Sequence, residues 1–131
     1  MGMNDTAIEA ALQLMNTHIC ALNEHDAKRI ATTMHFPHHR LSGTEWKTWE
    51  TGEHYFDDFL KRAGSNWYHS KFSDITVVNS SADKVHLDVE VQRYDCDDRL
   101  ITSFRSLWVI VKVNSVWAAQ FRSSFAVLKS N

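Results

Sequence analysis

The sequence predicts an α+β domain in which three N-terminal helices pack on one strongly bent antiparallel sheet. Two observations carry that reading. Apolar residues recur at helical spacing up to Gly64 and alternate at strand spacing after it. The helical signals come first and the strand signals after, segregated rather than interleaved, which is the order of an α+β fold and not of a parallel βαβ sheet. The 131 residues amount to a single domain, long enough to bury roughly 68% of the surface the unfolded chain exposes.

Ile8, Leu12, Met15, Ile19 and Leu22 form one apolar stripe of a first helix. Thr6 and Glu9 have the spacing of a capping box at its start, and Asn23 ends it. Asp26 caps a second, shorter helix carrying Ile30 and Met34, and Pro37 stops helical geometry. His35 to Trp49 reads as a hairpin turning at Ser42-Gly43, since glycine accepts positive φ. Thr51 caps a third helix, with Tyr55, Phe56, Phe59, Leu60 and Ala63 apolar and Gly64 as its stop. Four strands follow, at 67–78, 84–95, 100–113 and 116–127, joined by turns at Asn79 to Asp83, Cys96 to Arg99 and Asn114-Ser115. The plainest alternation sets Val85, Leu87, Val89 and Val91 against His86, Asp88, Glu90 and Gln92, so one sheet face is buried and the other polar. A sheet bent around the long first helix makes a cone with an open mouth.

Lys and Arg total 14 and Asp and Glu 16, a net charge of -2. That balance lacks the positive field needed to neutralise phosphate backbones, so no nucleic-acid partner is expected. No apolar run approaches the ~20 residues that span a bilayer, so no membrane association is expected either. Met1 to Asp5 are polar and show no signal peptide; Met1-Gly2 through Thr6 fits the loose N-myristoylation pattern, although a plain start reads better. Cys20 and Cys96 are too few and too far apart for a disulfide scaffold or a zinc site, and two free thiols fit a reducing, cytoplasmic setting. Eight His, five Trp and seven Phe point to an aromatic-walled cavity or a sticky interface.

Turn positions set an expected register. With Asp97-Asp98 as a two-residue turn, Arg93 faces Thr102, Val91 faces Phe104, Val89 faces Ser106 and Leu87 faces Trp108. With Asn114-Ser115 as the next, Trp108 faces Phe121 and Ser106 faces Ser123. Centring the earlier loop on Ser81 sets His69 opposite Arg93 and Lys71 opposite Val91. The face toward the helices is then dry at one end and polar at the other, where Trp67, His69, Lys71, Arg93, Thr102, Ser106 and Ser123 gather. An apolar-walled cavity with a few polar groups at its mouth has the shape of a small-molecule site. His69 serves there as general acid or base and Arg93 as an anion anchor. A slip of one residue turns Tyr68, Ser70, Gln92, Tyr94, Arg105 and Arg122 inward instead.

His35, His38 and His39 cluster around Pro37, but neighbours along a strand point to opposite faces, and no inward carboxylate completes a ligand set. No metal and no other cofactor is therefore expected. Asp88 and Glu90 fall on the outer face, which counts against a carboxylate-base isomerase, and there is no Gly-x-Ser-x-Gly elbow or phosphate loop. The outer face presents Arg105, Leu107, Val109, Val111, Gln120 and Arg122 beside Asp88 and Glu90. An apolar patch rimmed by both charge signs predicts a homodimer, with Arg105 and Arg122 opposite the carboxylates of a second copy.

Four segments carry a resemblance. They are Ala21-Leu22-Asn23-Glu24-His25-Asp26, Phe36-Pro37-His38-His39-Arg40-Leu41, Trp67-Tyr68-His69-Ser70, and Trp117-Ala118-Ala119-Gln120-Phe121-Arg122-Ser123-Ser124. With the element order, they make the chain resemble the NTF2-like (SnoaL-like, ketosteroid-isomerase-like) superfamily over about 5–127, in a bacterial branch of unassigned function. The match departs at Asp97-Asp98 and Asn114-Ser115, where a glycine-containing pair is usual. The resemblance implies one cone-shaped NTF2-like α+β barrel over 1–131 and a ligand in its cavity. It adds His38 and Arg40 to the rim, beside Trp108 and Phe121 on the walls, and makes sheet-to-sheet pairing common. It implies a small-molecule-binding protein, as an isomerase, dehydratase or hydrolase acting on a small apolar or carboxylate ligand. The alternative is a non-catalytic dimerisation or accessory module, since fold alone does not choose.

Overall fold

The structure, a computed structural model, describes residues 3–126. Met1-Gly2 and the last residue assigned to the fourth strand, 127, lie outside the described residues. In chain order the elements are α1 (Met3–Asn23), α2 (Ala27–Ala31), β1 (Met34–Ser42), β2 (Glu45–Trp49), α3 (Gly52–Ala63), β3 (His69–Ser80), β4 (Lys84–Tyr94), β5 (Leu100–Val113) and β6 (Val116–Ser124). The strands form one sheet in the order β2-β1-β6-β5-β4-β3. Its pairs are antiparallel except β1 with β6, which run parallel. The sheet curls around α1, and the three helices lie on its inner face, as the period change predicts.

α1 meets the sheet through a different stripe from the one its large residues suggest. Ala7, Ala11, Leu14, Met15, His18, Ala21 and Leu22 are buried, while Leu12 is 39% exposed. Alanines on the buried face let the helix axis approach Val85, Leu87, Val89, Val91 and Ile110 closely. The helix begins at Met3, so Thr6 lies within it and is not its cap. The other two caps form as expected. The Asp26 side chain accepts from Arg29 N, and Thr51 Oγ1 accepts from His54 N at 3.1 Å. Gly64, at φ 90°, ends α3. A second cluster joins α2, α3 and the β1–β2 hairpin: Leu22, Ile30, Met34, Trp49, Phe56 and Phe59 among others.

Strand parity decides where every polar side chain goes. The β4–β5 register is as expected, with Leu87 opposite Trp108, Val89 opposite Ser106 and Arg93 opposite Thr102. Asn114 and Ser115, at φ 52° and 67°, form the two-residue turn. Two other strands depart. In β6, Ile110 pairs with Ala119 but Val109 with Phe121, so Gln120 is an extra residue, a bulge. Beyond it the parity inverts: Arg122 and Ser124 point inward, and Phe121 and Ser123 outward. In β3, irregularities between Ser73 and Thr76 and between Val77 and Asn79 shift the pairing twice. Asp74 takes φ 49° in the first of them. At the mouth, Ser70 therefore faces Arg93, and His69 faces Tyr94.

Candidate functional site

Between the two apolar clusters lies a pocket lined from every layer. α1 supplies His18 and Leu22, β1 Arg40, and α3 Tyr55, Phe59 and Arg62. The sheet supplies Ser70 and Phe72 from β3, Val91 and Arg93 from β4, Phe104, Ser106 and Trp108 from β5, and Arg122 and Ser124 from β6. The room for water-sized groups is about 20 Å3, within about 380 Å3 of space outside the atoms that includes the open mouth. That is room for about one water, so a larger head group enters only as the lining side chains move aside.

The chemistry is dominated by arginine. Arg122 is 8% exposed and Arg40 6% exposed. Their guanidinium planes rest on aromatic faces. Arg122 lies 4.8 Å from the Trp108 ring and 5.1 Å from Tyr55, and Arg62 lies 5.8 Å from the same Tyr55. Phe59 is shared in the same way, 5.3 Å from Arg93 and 5.5 Å from Arg62. Arg93 also covers Phe104 at 5.0 Å. Such contacts supply some of the stabilisation a buried cation loses with its water. Among the described residues, Arg62 is the one lining cation with a carboxylate partner. Its Nε donates to Asp58 at 2.8 Å, and Asp58 also takes Lys47 Nζ and Trp49 Nε1. Among the described residues, no Asp or Glu lines the pocket. Arg93 Nε, Arg122 Nε and Nη2, and Arg62 Nη2 are buried without a hydrogen-bond partner.

Electrostatics follow from this crowding. Burial and then the neighbouring arginines lower Arg40 to about 9, and burial with the Arg62 charge lowers Arg93 to about 10. Burial raises the Tyr55 phenol, but the Arg122, Arg62 and Arg40 charges and a hydrogen bond from Arg122 outweigh it, and the net shift is downward. His18 is driven to about 3 by burial and then by Arg122, and His38 falls well below its ordinary value for the same two reasons. Both imidazoles are therefore neutral. Thr33 Oγ1 donates to Ile30 O, so His18 Nδ1 must donate to Thr33 Oγ1 at 2.7 Å, which leaves Nε2 as its acceptor nitrogen.

The expected site residues divide accordingly. Arg93, Arg40, Ser106 and Trp108 line the pocket. His69 does not: parity turns it to the outer face, where its Nε2 meets Asp98 Oδ1 at 2.8 Å and its ring stacks on Tyr94. Lys71 lies over that same Tyr94 ring. Phe121 and Ser123 are outside the pocket for the reason given by the β6 bulge, and Phe121 packs on Trp46 at 5.7 Å. Thr102 pairs with Arg93 but is not part of the lining. Trp67 is buried behind the wall, and its Nε1 donates to Ser70 Oγ at 2.8 Å, holding that hydroxyl in place. His38 sits behind Tyr55, with Nδ1 on Ala119 O.

Arg122, assigned by the turn arithmetic to the outer face, is instead a buried cation of the pocket. Sequence reasoning had a signal for it, the inward alternative that a one-residue slip produces, which also contained Ser70. Nothing in strand arithmetic pointed to His18, Tyr55, Phe59 or Arg62, whose helical spacing reads as core or as solvated last turn. Among the described residues no cluster of His, Cys, Asp or Glu could hold a metal ion.

Solved structures share this architecture along nearly the whole chain. An NTF2-like protein of unknown function from Pseudomonas putida superimposes with a TM-score of 0.75 at 14% identity, over 98% of this chain and 92% of that one. The chain has the NTF2-like fold. A protein of unknown function with a cystatin-like fold from Nostoc punctiforme matches this NTF2-like chain at 0.75 and 12% identity, covering 95% and 94%. A candidate scytalone dehydratase from Novosphingobium aromaticivorans matches at 0.71 and 14%, covering 98% and 94%. No family model and no curated protein matches the chain. At these identities the NTF2-like likeness concerns the backbone, so the arginine-lined interior is a property of this chain's own residues.

Proposed function

We propose that the chain binds a small organic anion in the cone, with the anionic head on Arg40, Arg93 and Arg122 and the apolar remainder against Phe72, Val91 and Phe104. One observation carries this: buried guanidinium groups with free N–H donors converge where no acidic side chain lines the wall. A buried charge left unpaired is worth several kcal/mol of destabilisation, and an anion held by charge-assisted hydrogen bonds offsets it. An isomerase, dehydratase or hydrolase step on that anion would fall to the His18 imidazole and the Tyr55 phenol, the proton-carrying groups of the lining.

Calorimetry and thermal shift with benzoate, phenylacetate and hexanoate, each beside its amide, test the reading. The acids should bind and the amides should not. Arg122→Met should abolish binding while the unliganded protein melts at the same or a higher temperature, because the variant removes an unpaired buried charge. Amides binding as well as acids, or an Arg122→Met protein that still binds, would overturn it. Silence of the whole panel would favour the accessory-module reading.

We further propose that two copies pair through the outer sheet face. Leu107, Val109 and Val111 are half-buried there, and across β6 the surface continues into Phe121 and the 56%-exposed Trp46. Arg105 is already met within its own chain by Asp74, Asp88 and Glu90, at 2.9, 2.8 and 3.9 Å, so it is not a free cation for the carboxylates of a second copy. Arg122, inside the cone, has no part in it.

A further inference from the structure

We propose that the head group taken by the arginine cluster is doubly charged, of the phosphate monoester type, rather than a single carboxylate. This rests on the anion-binding reading above and adds a charge count to it. Of the four lining arginines, Arg62 is met by Asp58. Among the described residues, no carboxylate forms an ion pair with Arg40, Arg93 or Arg122. These three reach one space from three strands, β1, β4 and β6, and a bound monoanion matches one of their charges and leaves two.

The packing holds the cations together rather than letting them separate. Tyr55 and Trp49 each carry Arg62 and Arg122 within 6 Å of one ring. Phe59 carries Arg62 and Arg93. Rings placed between like charges hold the guanidinium groups at the wall of one pocket, and Arg93 Nε and Arg122 Nε and Nη2 are buried there without a partner. A phosphate head offers three terminal oxygens to such a set, and the guanidinium fork matches two oxygens of one phosphate at a time. The Ser106 and Ser124 hydroxyls, 2.7 Å apart in the same lining, are bonded to each other, so at most one of them has an O–H left to donate. The enclosed space is about one water in size, so the head group enters as the lining side chains give way, with any apolar tail directed toward the mouth.

The experiment compares esters equal in size and differing in charge. Methyl phosphate and phenyl phosphate are titrated calorimetrically against methyl sulfate and phenyl sulfate, at about pH 7.5 and about pH 5, on either side of the second phosphate ionisation near pH 6. The phosphate should bind roughly tenfold or more tightly than its sulfate at the higher pH, because the same three terminal oxygens carry one more charge toward the guanidinium groups. That preference should collapse at the lower pH. The sulfate stays singly charged throughout and reports any titration of the pocket itself. Arg40→Met should bring the phosphate down toward the sulfate, with circular dichroism confirming the fold. Equal phosphate and sulfate affinity at the higher pH would overturn the double charge and leave the anion reading standing. Failure of both esters and of every carboxylate would overturn both.

Discussion

Arg122 and His18 show how one buried cation sets the state of its neighbours. Arg122 contributes to the lowering of both His18 and His38, after burial itself. The stability consequence has a definite sign. In the unfolded chain each imidazole takes up a proton as the pH falls through its ordinary value near 6.5. In the folded chain His18 resists until about 3. The unfolded state thus binds more protons in that window, and the stability present above the ordinary value is lost progressively as pH drops toward the folded one. Each histidine contributes up to about 1.4 kcal/mol per pH unit. Urea unfolding at about pH 7 and about pH 5 should show this fall, and His18→Gln should flatten it by about half. An unchanged slope in that variant would mean that His18 protonates freely in the native protein. The same residue scale explains which site residues were legible beforehand. Arg93, Ser106 and Trp108 lie where the β4–β5 pairing matches the count, although the turn itself is the longer loop 95–99 with an irregularity at Arg93/Tyr94 and not the expected Asp97-Asp98 pair. Phe121 and Ser123 sit beyond the Gln120 bulge, and His69 lies on a strand whose turn pairs Ser80 with Val85 rather than centring on Ser81, so counting placed each on the wrong side.

At the scale of elements, the caps and stops were readable because they are local chemistry: Asp26, Thr51 and Gly64 act within three or four residues of themselves. The buried face of α1 was not. Size alone ranks Leu12 above Ala11, yet Ala11 is fully buried, because the sheet needs the helix backbone close to it. Gly52 marks a second close approach. A Cβ built there meets Ala27 O and the Ala31 Cβ at 2.7 Å each, where α3 starts against α2. Gly52→Ala should therefore destabilise by about 1–3 kcal/mol, the range of overpacking. At an open helix start the same change would stabilise instead. Chemical denaturation decides between them, and a neutral or stabilised variant would show that α2 and α3 are not in rigid contact. Because α3 carries Tyr55, Phe59 and Arg62, a shift at Gly52 would also weaken ligand binding through its position rather than its chemistry.

For the whole molecule, the cone and the outer face are two sides of one sheet, and parity makes them exclusive. Each residue gained by the pocket is lost to the proposed dimer surface, as Arg122 shows. Sedimentation of Val109→Asp should report monomers if two copies meet on that face, and an unchanged dimer would refute the interface. Ligand binding should survive in the monomer, since Val109 and the pocket lie on opposite faces. Element order, helix caps, the inward valines of β4 and the absence of any run of about 20 apolar residues are encoded by neighbours in sequence, so the chain alone determined the fold class and much of the core. The arginine-lined pocket depends on the extra residue at Gln120 and on where the β3–β4 turn sets the pairing, since the two one-residue shifts of β3 cancel in parity. A bulge inverts every side chain beyond it. Whether a bulge forms depends on contacts between strands distant in sequence, so only the folded sheet decided that Arg122 and Ser70 look inward and His69 does not.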